Sequence, residues 1–199
     1  IKDRRIKQKK MKTENKYHIS NKRFLIGIRA VYDAINQEAF DGRLPKISIQ
    51  IQRLQDATVN YQTAAAFIVR KETQSFRIGE KRHKYGVEYL SIVFDRKLMY
   101  YADGEDFVNL FDYLFHEMIH EYCYLNGIDN CNHETQYHNS YFMEAAENHG
   151  LLCWKYDDQY GFNRTIIPND LFKRIVQRVS PDILKIMTAN VFEEEGEIA

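Results

Sequence analysis

The stretch Phe115-His116-Glu117-Met118-Ile119-His120-Glu121 decides how the rest of this 199-residue chain is read. Residues four apart on an α-helix share one face, about 6 Å apart along the axis. Two imidazoles so placed can converge on one tetrahedral zinc ion, at about 2.0–2.1 Å each. Glu117 falls at a neighbouring azimuth, where its carboxylate can take a proton from water beside the ion without joining the ligands. The flanking residues predict a helix from about Glu105 to Asn126. Phe107, Leu110, Phe111, Leu114, Met118, Tyr122 and Leu125 recur at its period, and Gly127 provides a stop.

A catalytic zinc takes three protein ligands and keeps a fourth position open. The downstream candidates are His133, His138 and His149. His149 lies eleven residues past His138, about 16 Å along a straight helix, so the two cannot share one ion. His133 and His138 both follow the turn and can both reach back.

Upstream, Phe24, Ile28, Val31, Ile35 and Ala39 mark an earlier helix that Asn21 could cap. It ends near Phe40-Asp41-Gly42-Arg43-Leu44-Pro45. Ile47, Ile49 and Ile51 alternate as in a half-buried strand, and Ala64–Val69 and Tyr89–Phe94 read as two more. Between those, Thr73 to Lys84 reads as a polar hairpin tip with a short strand around Phe76 and Ile78. Beyond the central helix, a polar loop over Ile128–Thr135 leads to a helix at about Ser140–Asn148. Two short helices follow, opened by Pro168 and by Ser180-Pro181. The expected class is α+β, with a small antiparallel sheet between helices.

Composition narrows the function classes. The chain is 44% hydrophobic, with 14 Tyr and 12 Phe, enough for a packed core. It contains no run of about 18 apolar residues, so no membrane-spanning helix is expected. Cys123, Cys131 and Cys153 form no CxxC pair. An odd, sparse set points to a reducing, cytoplasmic setting and excludes a four-cysteine zinc ribbon. The net charge of zero conceals an asymmetry. Residues 1–23 carry ten Lys or Arg against Asp3 and Glu14, whereas the other end carries Glu193, Glu194, Glu195 and Glu197. Such blocks read as solvated tails, with nucleic-acid contact the sharper reading of the basic one.

His138-Asn139-Ser140-Tyr141-Phe142 resembles the HGxxF element that follows HExxH in SprT-like proteins, the group that includes the Spartan proteases. The Phe40–Pro45 turn is similar to the family's opening. Ala145-Ala146-Glu147-Asn148-His149-Gly150-Leu151, and Tyr160-Gly161-Phe162 followed by Thr165, resemble what comes after the third ligand. The likeness spans about residues 20 to 166. It implies a zincin-like metallopeptidase domain at 17–166, after a basic tail at 1–16 and before C-terminal helices and an acidic tail at 167–199. It implies Zn2+ held by His116, His120 and His138, with Glu117 as general base. It implies a protein or peptide substrate, and in the Spartan branch proteins crosslinked to DNA, with DNA as activator and a nucleoid-associated location. The alternative is a metal-bearing, catalytically weak module that recruits partners to DNA. Asn139 departs from the family's Gly, and the C-terminal cysteine ribbon of bacterial members is absent, so DNA contact through it does not carry over.

Several neighbours carry more than one reading. Asp112, one turn before His116, stands where a carboxylate could orient that ring, or where a helix simply meets solvent. Glu144 and Glu147 have the same two readings. Cys123 reads as a small core residue rather than a ligand. Tyr137 and Tyr141 flank the third ligand and read as packing, with oxyanion stabilisation as the alternative. The Ala64–Val69 strand could offer its edge to an extended peptide. His18 and His83 read as surface residues.

Overall fold

The computed structural model describes residues 17–18, 21–54, 64–101, 104–132 and 134–188. The basic arm 1–16, the acidic end beyond 188 and His133 lie outside them. In chain order the elements are β1 (Tyr17–His18), α1 (Asn21–Ala39), β2 (Ser48–Gln52), β3 (Ala65–Ile78), β4 (Lys81–Asp95), β5 (Tyr100–Tyr101) and α2 (Gly104–Leu125). They continue with β6 (Cys131–Asn132), β7 (Tyr137–His138), α3 (Ser140–Asn148), β8 (Leu152–Trp154), β9 (Arg164–Ile166), α4 (Asn169–Arg178) and α5 (Pro181–Thr188). This is an α+β architecture, with five helices and small sheets among the described residues. No helix among them is long and apolar enough to cross a membrane.

The main sheet corrects the expectation of an antiparallel one. Its order is β2-β4-β3, with β3 antiparallel to β4 but β2 parallel to it. The turn at Gly79-Glu80 compels β3 and β4 to run opposite ways, and Gly79 takes the positive φ of 60° that a two-residue hairpin loop needs. Residues 53–64 separate β2 from β3, and β2 occupies the far edge of β4. Alternating isoleucines report a half-buried strand but carry no information about its neighbour or direction.

The hairpin also differs from expectation. Instead of a polar tip with a separate short strand, β3 and β4 form one unbroken ladder from Ala65↔Phe94 to Ile78↔Lys81. Backbone pairing continues here well past the point where side chains stop being buried.

The core lies between α1, α2 and the sheet. Phe24, Ile28, Val31 and Ile35 of α1 meet Leu110, Phe111, Leu114, Phe115 and Met118 of α2, with Ile92 and Phe94 of β4. Leu171 and Ile175 of α4 and Met187 of α5 join the same cluster. Contact between α1 and α5 is close enough that a Cβ on Gly27 would stand 2.1 Å from Met187 Cγ.

A buried polar contact ties α2 to α1. Tyr32 Oη lies 2.7 Å from the Pro45 carbonyl oxygen and 3.0 Å from each carboxyl oxygen of Glu121. One hydroxyl hydrogen cannot serve three acceptors. Donated to Pro45, it leaves Tyr32 Oη to accept a hydrogen from Glu121 in its acid form. Burial supports that form by pushing the Glu121 pKa up to about 7. A carboxyl raised from 4.5 contributes its stability fully below pH 4.5 and loses it as pH rises through 7. Glu121→Gln keeps a donor towards Tyr32 and cannot ionise. Its unfolding free energy in urea should therefore fall less than that of the wild type between pH 5 and pH 8, the difference being at most roughly 2–3 kcal/mol. Equal slopes would show that Glu121 is not the titrating group.

Candidate metal centre

Helix α2 presents His116 and His120 one turn apart, and β7 delivers His138 opposite them. Their Nε2 atoms stand 3.1 Å (116–138), 3.3 Å (116–120) and 3.0 Å (120–138) apart. The ligand atoms of these three residues thus form a group able to hold a metal ion. Three ring nitrogens around one tetrahedral zinc would be spaced by about 3.3–3.4 Å, given bonds of about 2.0–2.1 Å.

The outer nitrogens favour the tautomer that metal binding needs. His116 Nδ1 lies 3.1 Å from Thr165 Oγ1 in β9. His138 Nδ1 is buried outside hydrogen-bond geometry, with the carbonyls of Tyr160 and Gln136 as its neighbours. An acceptor beside Nδ1 would keep the proton there and leave the Nε2 lone pair facing inward, a role open to Thr165 Oγ1 and to these two carbonyls. The side-chain amide nitrogen of Asn130 stands 2.9 Å from His120 Nδ1. A half-turn of that amide puts its oxygen in the same place and makes it an acceptor too. Burial holds the pKa of His116 well below its ordinary value, aided by the other two rings. It takes that of His138 down to about 4. Neutral rings with converging lone pairs suit a cation far better than they suit one another.

Phe142 forms the floor. Fully buried, its ring centroid is 4.7 Å from that of each imidazole. Asn139 makes this possible by capping α3, its side-chain oxygen accepting the N–H groups of Tyr141 and Phe142. An Asn at this position therefore caps the helix directly after the third histidine.

Backbone contacts fix His138 from both sides. It pairs with Cys131 across β6–β7. Its N–H donates to the Tyr160 carbonyl at 2.9 Å, and its carbonyl accepts from Phe162 N–H at 3.0 Å. Gly161, between those partners, has φ of 66°, and a Cβ there would stand 2.1 Å from the His138 carbonyl oxygen. The Tyr160-Gly161-Phe162 stretch, visible in the sequence only as a likeness, is the strap that holds the third imidazole.

Glu117 is buried beside the histidines. Its Oε2 accepts the backbone N–H of Phe67 in β3 at 2.7 Å. Burial raises its pKa to about 7, against the lowering effect of that hydrogen bond. Among the described residues β3 is an edge strand, and its outer side and the histidines line the same cleft of about 1000 Å³. Tyr160 and Arg164 also line it, with the Arg164 guanidinium over the Tyr156 ring.

Asp112 does not orient His116; its Oδ1 accepts Ile167 N–H at 2.8 Å, and Thr165 meets the ring instead. Glu144, Glu147 and Tyr141 are exposed, while the Tyr137 ring packs at Gly161. Cys123 is in the core. His149 lies away from the cluster, stacked on Phe40 and edge-on to Tyr122. Sequence reasoning missed Asn130, Phe67 and the role of Phe142. Only Phe142 left a signal, as a letter of the HGxxF-like element.

Gly161→Ala should therefore displace His138 while leaving the helices intact. Zinc affinity, measured by competition with a chromophoric chelator, should fall about 10–100-fold, approaching the loss in His138→Ala. Wild-type affinity in Gly161→Ala would remove the strap from this account.

Searches among curated proteins and solved structures returned no match. The SprT-like family model matches residues 28–152, from within α1 through the histidine-bearing part of α2 and His138 to the start of β8. The chain therefore belongs to the SprT-like family.

Proposed function

We propose that this protein is a zinc peptidase that hydrolyses peptide bonds in protein substrates, on a zincin-like fold. The observation that carries this reading is the pairing of three converging imidazole nitrogens with one buried carboxylate in an open cleft. His116, His120 and His138 would hold the ion; three imidazoles suit zinc among the common divalent metals. When bound, zinc supplies Lewis acidity, polarising a carbonyl oxygen and easing the deprotonation of water.

The chain's own groups do the rest. Glu117 takes the proton of the attacking water on its carboxylate and hands it to the leaving amine. A raised pKa suits a group that must both accept and return a proton near neutrality. The Phe67 N–H holds one carboxylate oxygen, which fixes the direction in which the other can act. An extended peptide can add to the free edge of β3 through main-chain hydrogen bonds, which demand little of its sequence.

The rival is a metal-bearing module that binds without cleaving. Glu117→Gln separates the two. It should keep a full equivalent of zinc and lose at least about 10²–10⁴-fold in turnover of an unfolded protein substrate. A variant that cleaves like the wild type would remove Glu117 from the chemistry. A wild type that is zinc-loaded yet inert would favour the rival.

A further inference from the structure

The outer half of the β3–β4 hairpin is exposed on both faces, and the ladder sorts its side chains by chemistry. Residues directly opposite share a face. One face pairs Phe76 with His83, Gln74 with Tyr85, and Arg70 with Tyr89. The other pairs Arg77 with Arg82 and Ser75 with Lys84. Phe76, Tyr85 and Tyr89 are 47%, 46% and 43% exposed, high for rings that ordinarily supply core.

These rings are uncovered yet held in place. Tyr85 Oη donates to Gln74 Oε1 at 2.8 Å, and Gln74 Nε2 donates to Tyr89 Oη at 2.6 Å. Phe76 stacks on His83 with centroids 5.3 Å apart and meets Tyr85 at 5.8 Å, tilted by 64°. The order that a ligand would otherwise have to impose is already present.

Charge points to the occupant. Residues 70–89 carry six Lys or Arg and three Glu. Glu72 pairs with Arg70 and Glu88 with Lys71. Arg77, Lys81, Arg82 and Lys84 form no ion pair among the described residues. A ribbon two strands wide is narrow enough for long side chains on its back to reach round to the front. Exposed aromatic rings next to unpaired cations match unpaired bases joined by phosphates. Bases stack on such rings, and the cations meet the backbone. A duplex hides the faces of its bases. The same face carries Ile78, 63% exposed, with Lys81 opposite it at the tip, but Gln74, Glu72 and two tethered tyrosine hydroxyls interrupt its apolar surface, which suits a lipid surface less.

We propose that this outer hairpin binds single-stranded nucleic acid, stacking bases on Phe76, Tyr85 and Tyr89 and meeting phosphates with Arg77, Lys81, Arg82 and Lys84. None of these seven side chains lines the metal-bearing cleft, and binding here does not depend on peptidase activity.

Fluorescence anisotropy on the full chain tests it, with labelled oligo-dT and oligo-rU, a duplex of equal length, and anionic phospholipid vesicles as separate arms. Single strands should bind more tightly than duplex at the same salt, with affinity falling as salt rises. Phe76→Ala with Tyr85→Ala should weaken single-strand binding about tenfold or more and leave the salt slope alone. Phe76→Leu with Tyr85→Leu keeps the bulk and should also weaken binding, which guards against a disordered hairpin as the cause. Arg77→Ser with Arg82→Ser should reduce the salt slope by roughly 1–2. All three should retain the wild-type far-ultraviolet circular dichroism spectrum, because the core between α1, α2 and the sheet is untouched. No single-strand binding, equal binding of duplex, or aromatic variants that bind like the wild type would each overturn the proposal. So would vesicle binding that the aromatic variants abolish in the absence of oligonucleotide binding.

Discussion

Three imidazole Nε2 atoms within 3.3 Å of one another are the constraint around which this molecule is arranged. Lone pairs so close repel, and no distribution of three ring hydrogens gives each nitrogen both a donor and an acceptor. The arrangement stands because each ring is held from outside the cluster. Thr165 meets one, Asn130 meets the second, and the backbone of Tyr160 and Phe162 grips the third. Phe142 supports all three from below. The two- and three-residue strands around the site have their purpose here, since β6, β7 and β9 carry or hold these groups.

Helix α2 is anchored by its own acidic side chains, each to a different part of the fold. Asp112 accepts a backbone N–H from the segment leading into α4, Glu117 accepts one from β3, and Glu121 meets Tyr32 of α1. All three carboxyls have pKa values raised by burial. A helix so tied cannot slide or rotate without stranding a buried polar group. That keeps His116 and His120 aimed at the point His138 reaches. Glu117 is anchored through one oxygen alone, because the Phe67 N–H takes only one of its two.

Much of this was legible along the chain. The helical period and stop signals placed α1, α2 and α3 within a residue or two, and the proline signals placed α4 and α5. These are local properties of contiguous residues, each decided by neighbours three or four positions away. Reading failed where the answer lay in a distant partner. The parallel direction of β2, the full length of the hairpin and the pairs β6–β7 and β8–β9 leave no periodic trace. Helical spacing left Asp112 either a partner of His116 or a solvated residue, yet its carboxylate oxygen accepts from a loop residue 55 positions further on.

By itself, the sequence determined the His116–His120 pair on one helical face, the carboxylate between them, the helices that carry the core and the likeness that singled out His138. Tertiary structure alone decided that His138 closes the group, that Gly161 straps it there, that Phe67 steadies Glu117 from 50 positions away, and that a hairpin stands out bare with aromatic and cationic faces. The reason is physical. Spacing along a helix is set by backbone geometry within one turn, whereas these other arrangements depend on how separate elements pack, and packing is settled by the whole core at once.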